Sequence, residues 1–295
     1  MKARNTARIT IKKALTLSLS ALLALSLSLL LAACGGTDDT VTNESDTTGS
    51  STELTVIKVA ASPTPHAEIL NNLKDDLAAQ GYDLQVVEYT DYIIPNTATE
   101  DGEVLANYFQ HQPYLTDFNA ENGTNLVSVG AVHFEPLGIY PGKTASLADL
   151  PDGATIAVPN DTTNEARALQ LLQAQGLITL PADADLTVTP KDIVENPKNL
   201  SFVEVEAAAV PVQLADVDLG VINGNYALGA NLDPASVLAS EDVNSQAAQT
   251  YANILVVKVG SESDPAVQAL LTALTSAKTR DFISTTYSGV VVPVF

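Results

Sequence analysis

The residues of this chain best suited to chemistry gather in a few places. Between positions 82 and 118 lie Tyr82, Tyr89, Tyr92, Tyr108, Phe109, Tyr114 and Phe118, seven of the fifteen Tyr and Phe in the whole sequence. The same window carries His111, one of three histidines, in the run Asn107-Tyr108-Phe109-Gln110-His111-Gln112-Pro113-Tyr114. Rings this dense beside polar groups suit a pocket wall, with ring faces for an apolar group and phenol and imidazole edges to orient it. Core packing accounts for any single ring; the cluster argues for a site. Further on, Val158 leads into Pro159-Asn160-Asp161-Thr162-Thr163-Asn164-Glu165-Ala166-Arg167. A strand, a polar loop and a helix start make an anion site from free backbone N–H groups and the helix dipole. Arg167, about one turn beyond Thr163 and Asn164, offers a fork of two parallel donors for a carboxylate. An ion pair with Glu165 or another acidic neighbour is the competing role. Asn223-Gly224-Asn225-Tyr226 follows another buried strand, at the kind of strand end where α/β proteins bind ligands. Asn223 has donors and an acceptor for an ammonium or a carboxylate; Asn225 is read as ordinary Asn-Gly turn chemistry.

Enzymatic chemistry is poorly represented. There is no G-x-S-x-G, and the single thiol, Cys34, belongs to the amino terminus. Gly138-Ile139-Tyr140-Pro141-Gly142-Lys143-Thr144 has three residues between its glycines where a phosphate-binding Walker A loop has four. His66, His111 and His133 lack the short spacing of metal ligands; convergence on a metal in space is the one way they would form such a site, and His66 and His133 otherwise read as structural or exposed. The expectation is a binding protein, not an enzyme, with no catalytic residue, no metal and no cofactor.

Positioning these groups requires alternating strands and helices. Leu54 to Ala61 is a near-continuous apolar run, as in a strand buried on both faces. Ser62-Pro63-Thr64-Pro65 turns the chain, with Thr64 placed to cap a helix. Ile69, Leu70, Leu73 and Leu77 recur at helical spacing up to Gly81, and Leu84 to Tyr89 is a second strand. Helix is expected over 97–101 and 113–122, and strand over 104–109 and 126–133. Phe134 to Pro141 reads as an extended crossing into a second lobe. There, Ala154 to Val158 is a buried strand, and Thr162 and Glu165 have capping-box spacing for the helix that follows. Short helices are expected over 191–195 and 211–215, and strands over 201–205 and 219–222. Tyr251 to Val259 is read as the return crossing, before closing helices over 265–274 and 278–287. The sum is a two-lobed α/β clamp that closes by hinge motion.

The amino terminus is separate from that body. The first 33 residues lack acidic groups and carry five basic ones, followed by an apolar run that ends at Leu31-Ala32-Ala33-Cys34-Gly35. A basic segment, an apolar core and small residues before a cut site describe an export signal. A transmembrane anchor is the alternative for so long an apolar run. Residues 35–52 are a polar spacer. Removing the signal leaves nine basic residues against 35 acidic ones, a net charge of −26. Such a surface repels nucleic acid and anionic lipid and favours solubility.

Several of these stretches together resemble the methionine-binding lipoproteins of bacterial ABC importers, the NlpA lipoprotein family. They are Ala61-Ser62-Pro63-Thr64-Pro65-His66-Ala67-Glu68, Thr90-Asp91-Tyr92, Asn107 to His111, Val158-Pro159-Asn160-Asp161, Val194-Glu195-Asn196-Pro197-Lys198-Asn199-Leu200 and Val221-Ile222-Asn223. The likeness spans residues 54–295. It implies a type II-like periplasmic-binding-protein fold, with 54–136 and 254–295 in one lobe and 137–253 in the other. It implies cleavage of residues 1–33 and acylation (palmitate) of Cys34, with 34–53 as anchor and linker. The product would be a monomer tethered to the extracytoplasmic side of the cell membrane, passing methionine to a permease and, through it, an ATPase. Tyr92, Phe109 and Tyr114, with His111 alongside, would seat the thioether side chain; Arg167 and Asn164 would hold the carboxylate; Asn223 and Asn253 would fix the head group. The Thr162-Thr163 pair departs from the Asn-Asp-Pro-Thr-Asn run of many relatives. Other readings of the same build are another small amino acid, a methionine-containing dipeptide, or a surface interaction lipoprotein.

Overall fold

A computed structural model describes residues 53–295. The export signal, Cys34 and the spacer lie outside the described residues. In chain order the strands are β1 (Thr55–Ala61), β2 (Tyr82–Glu88), β3 (Ala106–His111), β4 (Leu126–Phe134), β5 (Gly138–Pro141), β6 (Thr155–Pro159), β7 (Ser201–Val205), β8 (Leu219–Ile222), β9 (Ala239–Ser240), β10 (Asn253–Lys258) and β11 (Val292–Pro293). They form two sheets, ordered β11-β4-β10-β3-β1-β2 and β7-β6-β8-β5-β9.

In the first sheet β1 runs parallel to both β2 and β3. Ile57, Val59, Ala60 and Ala61 are wholly buried, each large side chain contributing about 1.5–3 kcal/mol on leaving water. The helical segment after β1 is broken into Glu68–Asn71 and Lys74–Ala78. Its apolar stripe survives the break, because Ile69, Leu70, Leu73 and Leu77 are all fully buried against the sheet. In the second sheet β6 lies parallel to β7 and β8, while β5 pairs antiparallel with β8. Helix Thr162–Ala174 covers it, burying Ala166, Ala168, Leu169, Leu171 and Leu172.

The chain passes from one sheet to the other twice, through Glu135-Pro136-Leu137 and through residues 241–252, the latter including helix Gln246–Thr250. The expected return crossing over Tyr251 to Val259 is corrected here. Residues Asn253–Lys258 are β10, antiparallel between β3 and β4 in the middle of the first sheet. An apolar run suits a strand covered on both faces better than an open connection. The two crossings are tied together: Leu137 N–H donates to Glu241 Oε2 at 2.8 Å, and Glu241 N–H donates to Leu137 O at 3.1 Å.

Candidate functional site

Between the two sheets lies a narrow cavity of about 20 Å³, little more than the room one water needs. It is lined by all eight residues singled out from the sequence: Tyr92, Phe109, His111, Tyr114, Asn164, Arg167, Asn223 and Asn253. Gln110, Glu135, Gly224 and Asn225 also line it.

One end is built of rings. The register of β3 against β10 shifts between Ile254 and Leu255, leaving Phe109 without a pairing partner. A bulge of this kind re-aims side chains beside binding sites. Tyr114 comes from the first turn of helix Gln112–Asn122. Ring centroids lie 5.7 Å apart for Tyr92 and Phe109, 5.8 Å for Tyr92 and Tyr114, and 6.0 Å for Phe109 and Tyr114. Tyr114 O–H donates to Tyr92 O at 2.8 Å, which fixes one ring against the other. The phenols stay neutral, because burial pushes the Tyr92 and Tyr114 hydroxyls well above their usual range.

The other end is polar, and its hydrogen bonds run in one direction from an acidic cap. The expected Thr162–Glu165 capping box does not form. Asp161, one residue earlier, is the N-cap; its Oδ1 accepts from Asn164 N–H at 3.1 Å and from Asn164 Nδ2 at 2.8 Å. A short Asp side chain at that position reaches the free amides of the first turn directly. Asn164 therefore turns Oδ1 outward, where it accepts from Asn223 Nδ2 at 2.9 Å. His111 Nε2 lies 3.1 Å from the same oxygen, and His111 Nδ1 accepts from Tyr114 N–H, so the ring is neutral with its proton on Nε2. Burial, then the nearby Arg167 charge, lowers its pKa to about 3. The chain of donors ends at Asn223, whose Oδ1 is buried and has no hydrogen-bond partner among the described residues. A buried acceptor left unmatched costs about 1–3 kcal/mol, so this oxygen calls for a donor from a ligand.

Arg167 is 4% exposed. Its ion pair is neither at the surface nor with Glu165. Nε donates to Glu241 Oε1 at 2.8 Å, and Nη2 to Glu241 Oε2 at 2.5 Å and to Glu135 O at 3.0 Å. The guanidinium lies over Tyr251, 4.2 Å from the ring centroid. Burial alone would lower its pKa, but the Glu241 carboxylate more than offsets that and holds it above the usual value. The two-pronged fork expected for a ligand is thus occupied by the protein's own carboxylate. Nη1 has no hydrogen-bond partner among the described residues and is the donor left for the cavity.

Asn225 is not turn chemistry. It sits in helix Gly224–Gly229, buried, and accepts from Tyr92 O–H at 2.6 Å. Tyr226 O–H donates to Thr90 O at 3.0 Å. Both bonds bridge the cleft between the two sheets. Glu135 is the lining carboxylate that the sequence reading passed over; its place in a crossing peptide before Pro136 gave no periodic signal. The histidines do not converge as a trio. His111 belongs to the ring end, while His66 and His133 meet Glu135 behind the cavity. Two imidazoles and a carboxylate are a metal-ligating set, with donor atoms within 4.8 Å of one another. Here Glu135 Oε1 lies 2.6 Å from His133 Nε2, and His66 Nε2 lies 2.8 Å from Asn253 Oδ1, so the nitrogens facing one another are already hydrogen-bonded.

Comparison with known proteins gives the following. The sequence profile of the family described as NlpA lipoprotein matches residues 57–295. The methionine-binding lipoprotein MetQ of Bacillus subtilis (strain 168) is 42% identical over 269 residues, 90% of this chain and 94% of that protein. A crystal structure from Ruminococcus gnavus ATCC 29149 superposes with a TM-score of 0.80 at 52% identity, covering 81% of this chain and 99% of that one. A nutrient binding protein from Burkholderia cenocepacia, bound to methionine, has a TM-score of 0.77 at 42% identity and covers 81% of this chain and 100% of its own.

Proposed function

The chain belongs to the NlpA lipoprotein family, and from that premise we propose that it is the substrate-binding lipoprotein of an ABC importer, capturing methionine between its lobes. The observation that carries this reading is the pairing of a ring-lined end with a polar end that has both an unmatched acceptor, Asn223 Oδ1, and a free cationic donor, Arg167 Nη1. A zwitterion with an apolar tail fits that pattern. Its carboxylate goes to Arg167 Nη1 and to Asn253, whose Oδ1 is turned to His66. Its ammonium goes to Asn223 Oδ1 and the Glu135 carboxylate. The thioether lies among Tyr92, Phe109 and Tyr114, each sulfur–ring contact contributing roughly 0.3–1.5 kcal/mol. Asn164 and His111 do not supply the main charge; they orient Asn223 and close the seam between the lobes.

Capture is the protein's whole task; the chemistry of transport belongs to its partners, a permease and its ATPase. Residues 54–136 with 254–295 form one lobe and 137–253 the other, except that Asn253 opens β10 and so joins the first; the hinges are Glu135-Pro136-Leu137 and 241–252. The protein works as a monomer, held to the extracytoplasmic face of the membrane by lipid on Cys34. No described helix is long and apolar enough to cross a bilayer. The test is mass spectrometry of the small molecule released from protein purified without denaturation. Methionine is expected; a dipeptide or a different amino acid would overturn the assignment.

A further inference from the structure

Behind the cavity wall, on the side away from the ligand space, Glu135 rests on two rings that do not themselves line the cavity. His133 is the penultimate residue of β4 and fully buried; its Nε2 is 2.6 Å from Glu135 Oε1. His66, from the turn after β1, places Nε2 3.4 Å from the same oxygen. The two rings meet edge-on at 4.9 Å, and Tyr108 stands 4.8 Å from His66 and 5.3 Å from His133. Tyr108 O–H contacts His133 Nδ1. With the phenol donating to Nδ1, the only proton of a neutral imidazole sits on Nε2 and points at Glu135. On the cavity side the approach is equally tight. A Cβ added at Gly224 would lie 2.7 Å from Glu135 Cβ and 3.0 Å from Oε2. The carboxylate is thus held from behind through Oε1, with glycine alone giving Oε2 room beside the ligand space.

This arrangement has a purpose if Glu135 is the ammonium acceptor. A buried carboxylate without hydrogen bonds tends to take up a proton instead of keeping its charge, and a neutral acid is a poor seat for an ammonium. The His133 N–H fixed on one oxygen favours the ionised form and leaves the other oxygen aimed. Resting on the amino-acid reading above, we propose that His133 is the positioning residue that holds Glu135 as the ammonium acceptor and so sets the protein's preference for ligands with a free α-amino group. Tyr108 fixes the His133 tautomer, and Gly224 admits the close approach.

The experiment is calorimetric titration with two ligands, L-methionine and its desamino analogue 4-(methylthio)butanoic acid, which keeps the carboxylate and the thioether. The proteins are the wild type, His133→Phe, His133→Gln, Tyr108→Phe and, as comparator, Glu135→Gln. His133→Phe should weaken methionine by about tenfold or more, the scale of a lost charge-assisted hydrogen bond, and change the desamino acid by less than about threefold. His133→Gln, which restores an N–H donor, should recover much of the loss. If His133→Phe does not fold, Tyr108→Phe, which frees the His133 tautomer, carries the same test, with a smaller loss again confined to methionine. Equal weakening of both ligands would mean a general packing role and would overturn the proposal. So would unchanged methionine affinity in Glu135→Gln while the wild type still prefers methionine, and that result would leave the methionine reading standing. A wild type that binds no methionine overturns both.

Discussion

Arg167 is the residue whose removal should be most informative, because it serves the fold and the ligand through different nitrogens. Nε and Nη2 are spent on Glu241 and on Glu135 O, which leaves Nη1 as the donor of this cavity-lining residue without a partner among the described residues. Arg167→Ala leaves the Glu241 carboxylate, itself only 9% exposed, without its counter-charge. Breaking one side of a buried pair costs about 3–5 kcal/mol. For a folded body of this size each kcal/mol shifts the melting temperature by roughly 2–4 °C, so a fall of roughly 6–20 °C is expected in a circular-dichroism melt. Methionine affinity, measured by titration calorimetry, should fall by at least about a hundredfold, since the ligand carboxylate loses its cation. The double variant Arg167→Leu with Glu241→Leu separates the two effects. Replacing a buried pair with apolar groups of similar size is commonly neutral or stabilising, so the melting temperature should recover part of the loss, short of the wild type because Leu137 N–H and Glu135 O lose their partners, while affinity stays lost. Near-native methionine binding by the double variant would refute the role given to Nη1. A single variant that melts like the wild type would refute the buried pair.

Three further expectations follow from the geometry. Norleucine, which replaces sulfur by a methylene, should bind roughly 2–10-fold more weakly than methionine, the worth of one or two sulfur–ring contacts; equal affinity would remove the ring end from the thioether. Asn225→Ala with Tyr226→Phe removes the two hydrogen bonds that bridge the cleft at 2.6 and 3.0 Å, so ligand release in stopped-flow displacement should quicken about tenfold, and an unchanged rate would mean the bonds do not hold the cleft shut. Burial holds the imidazole pKa values of His66 near 4 and of His111 and His133 near 3. All three rings should stay neutral by NMR from pH 8 to pH 5, and a midpoint near 6.5 for any of them would contradict the packing. The sign for stability follows. The unfolded chain takes up these protons below about pH 6.5 and the folded chain does not, so each ring's share is lost at about 1.4 kcal/mol per pH unit on acidification. Burial raises the pKa values of Glu135 and Asp161 and takes that of Glu165 to about 7, so these carboxyls act in the opposite direction.

Much of this protein is written in local pattern. Apolar runs mark β1, β6 and β8 as buried strands because a strand covered on both faces has no polar side to show; the equally apolar β10 reads as a crossing, since a run alone does not tell which sheet it joins. The stripe Ile69, Leu70, Leu73, Leu77 finds the core even across a helix break, because spacing alone decides which side faces the sheet. The eight candidate residues were legible for a related reason. Rings beside a histidine, an arginine at a helix start and an asparagine after a strand are each suited by type to one job, and the likeness to a family joined them and added Asn253. What distance along the chain conceals, only the tertiary structure decides. Glu241 is 74 positions from Arg167, and nothing local tells that it takes the fork instead of Glu165. Asp161 rather than Thr162 caps the helix, a choice of one residue that sets which way Asn164 points and hence which atom of Asn223 is left bare. Glu135, in a crossing peptide without periodicity, becomes part of the site only when β4, the turn at His66 and the helix at Gly224 close around it. Burial and partner choice are properties of the packed whole, because both the cost of an unmatched polar atom and the worth of a charge pair depend on how much water the surrounding elements exclude.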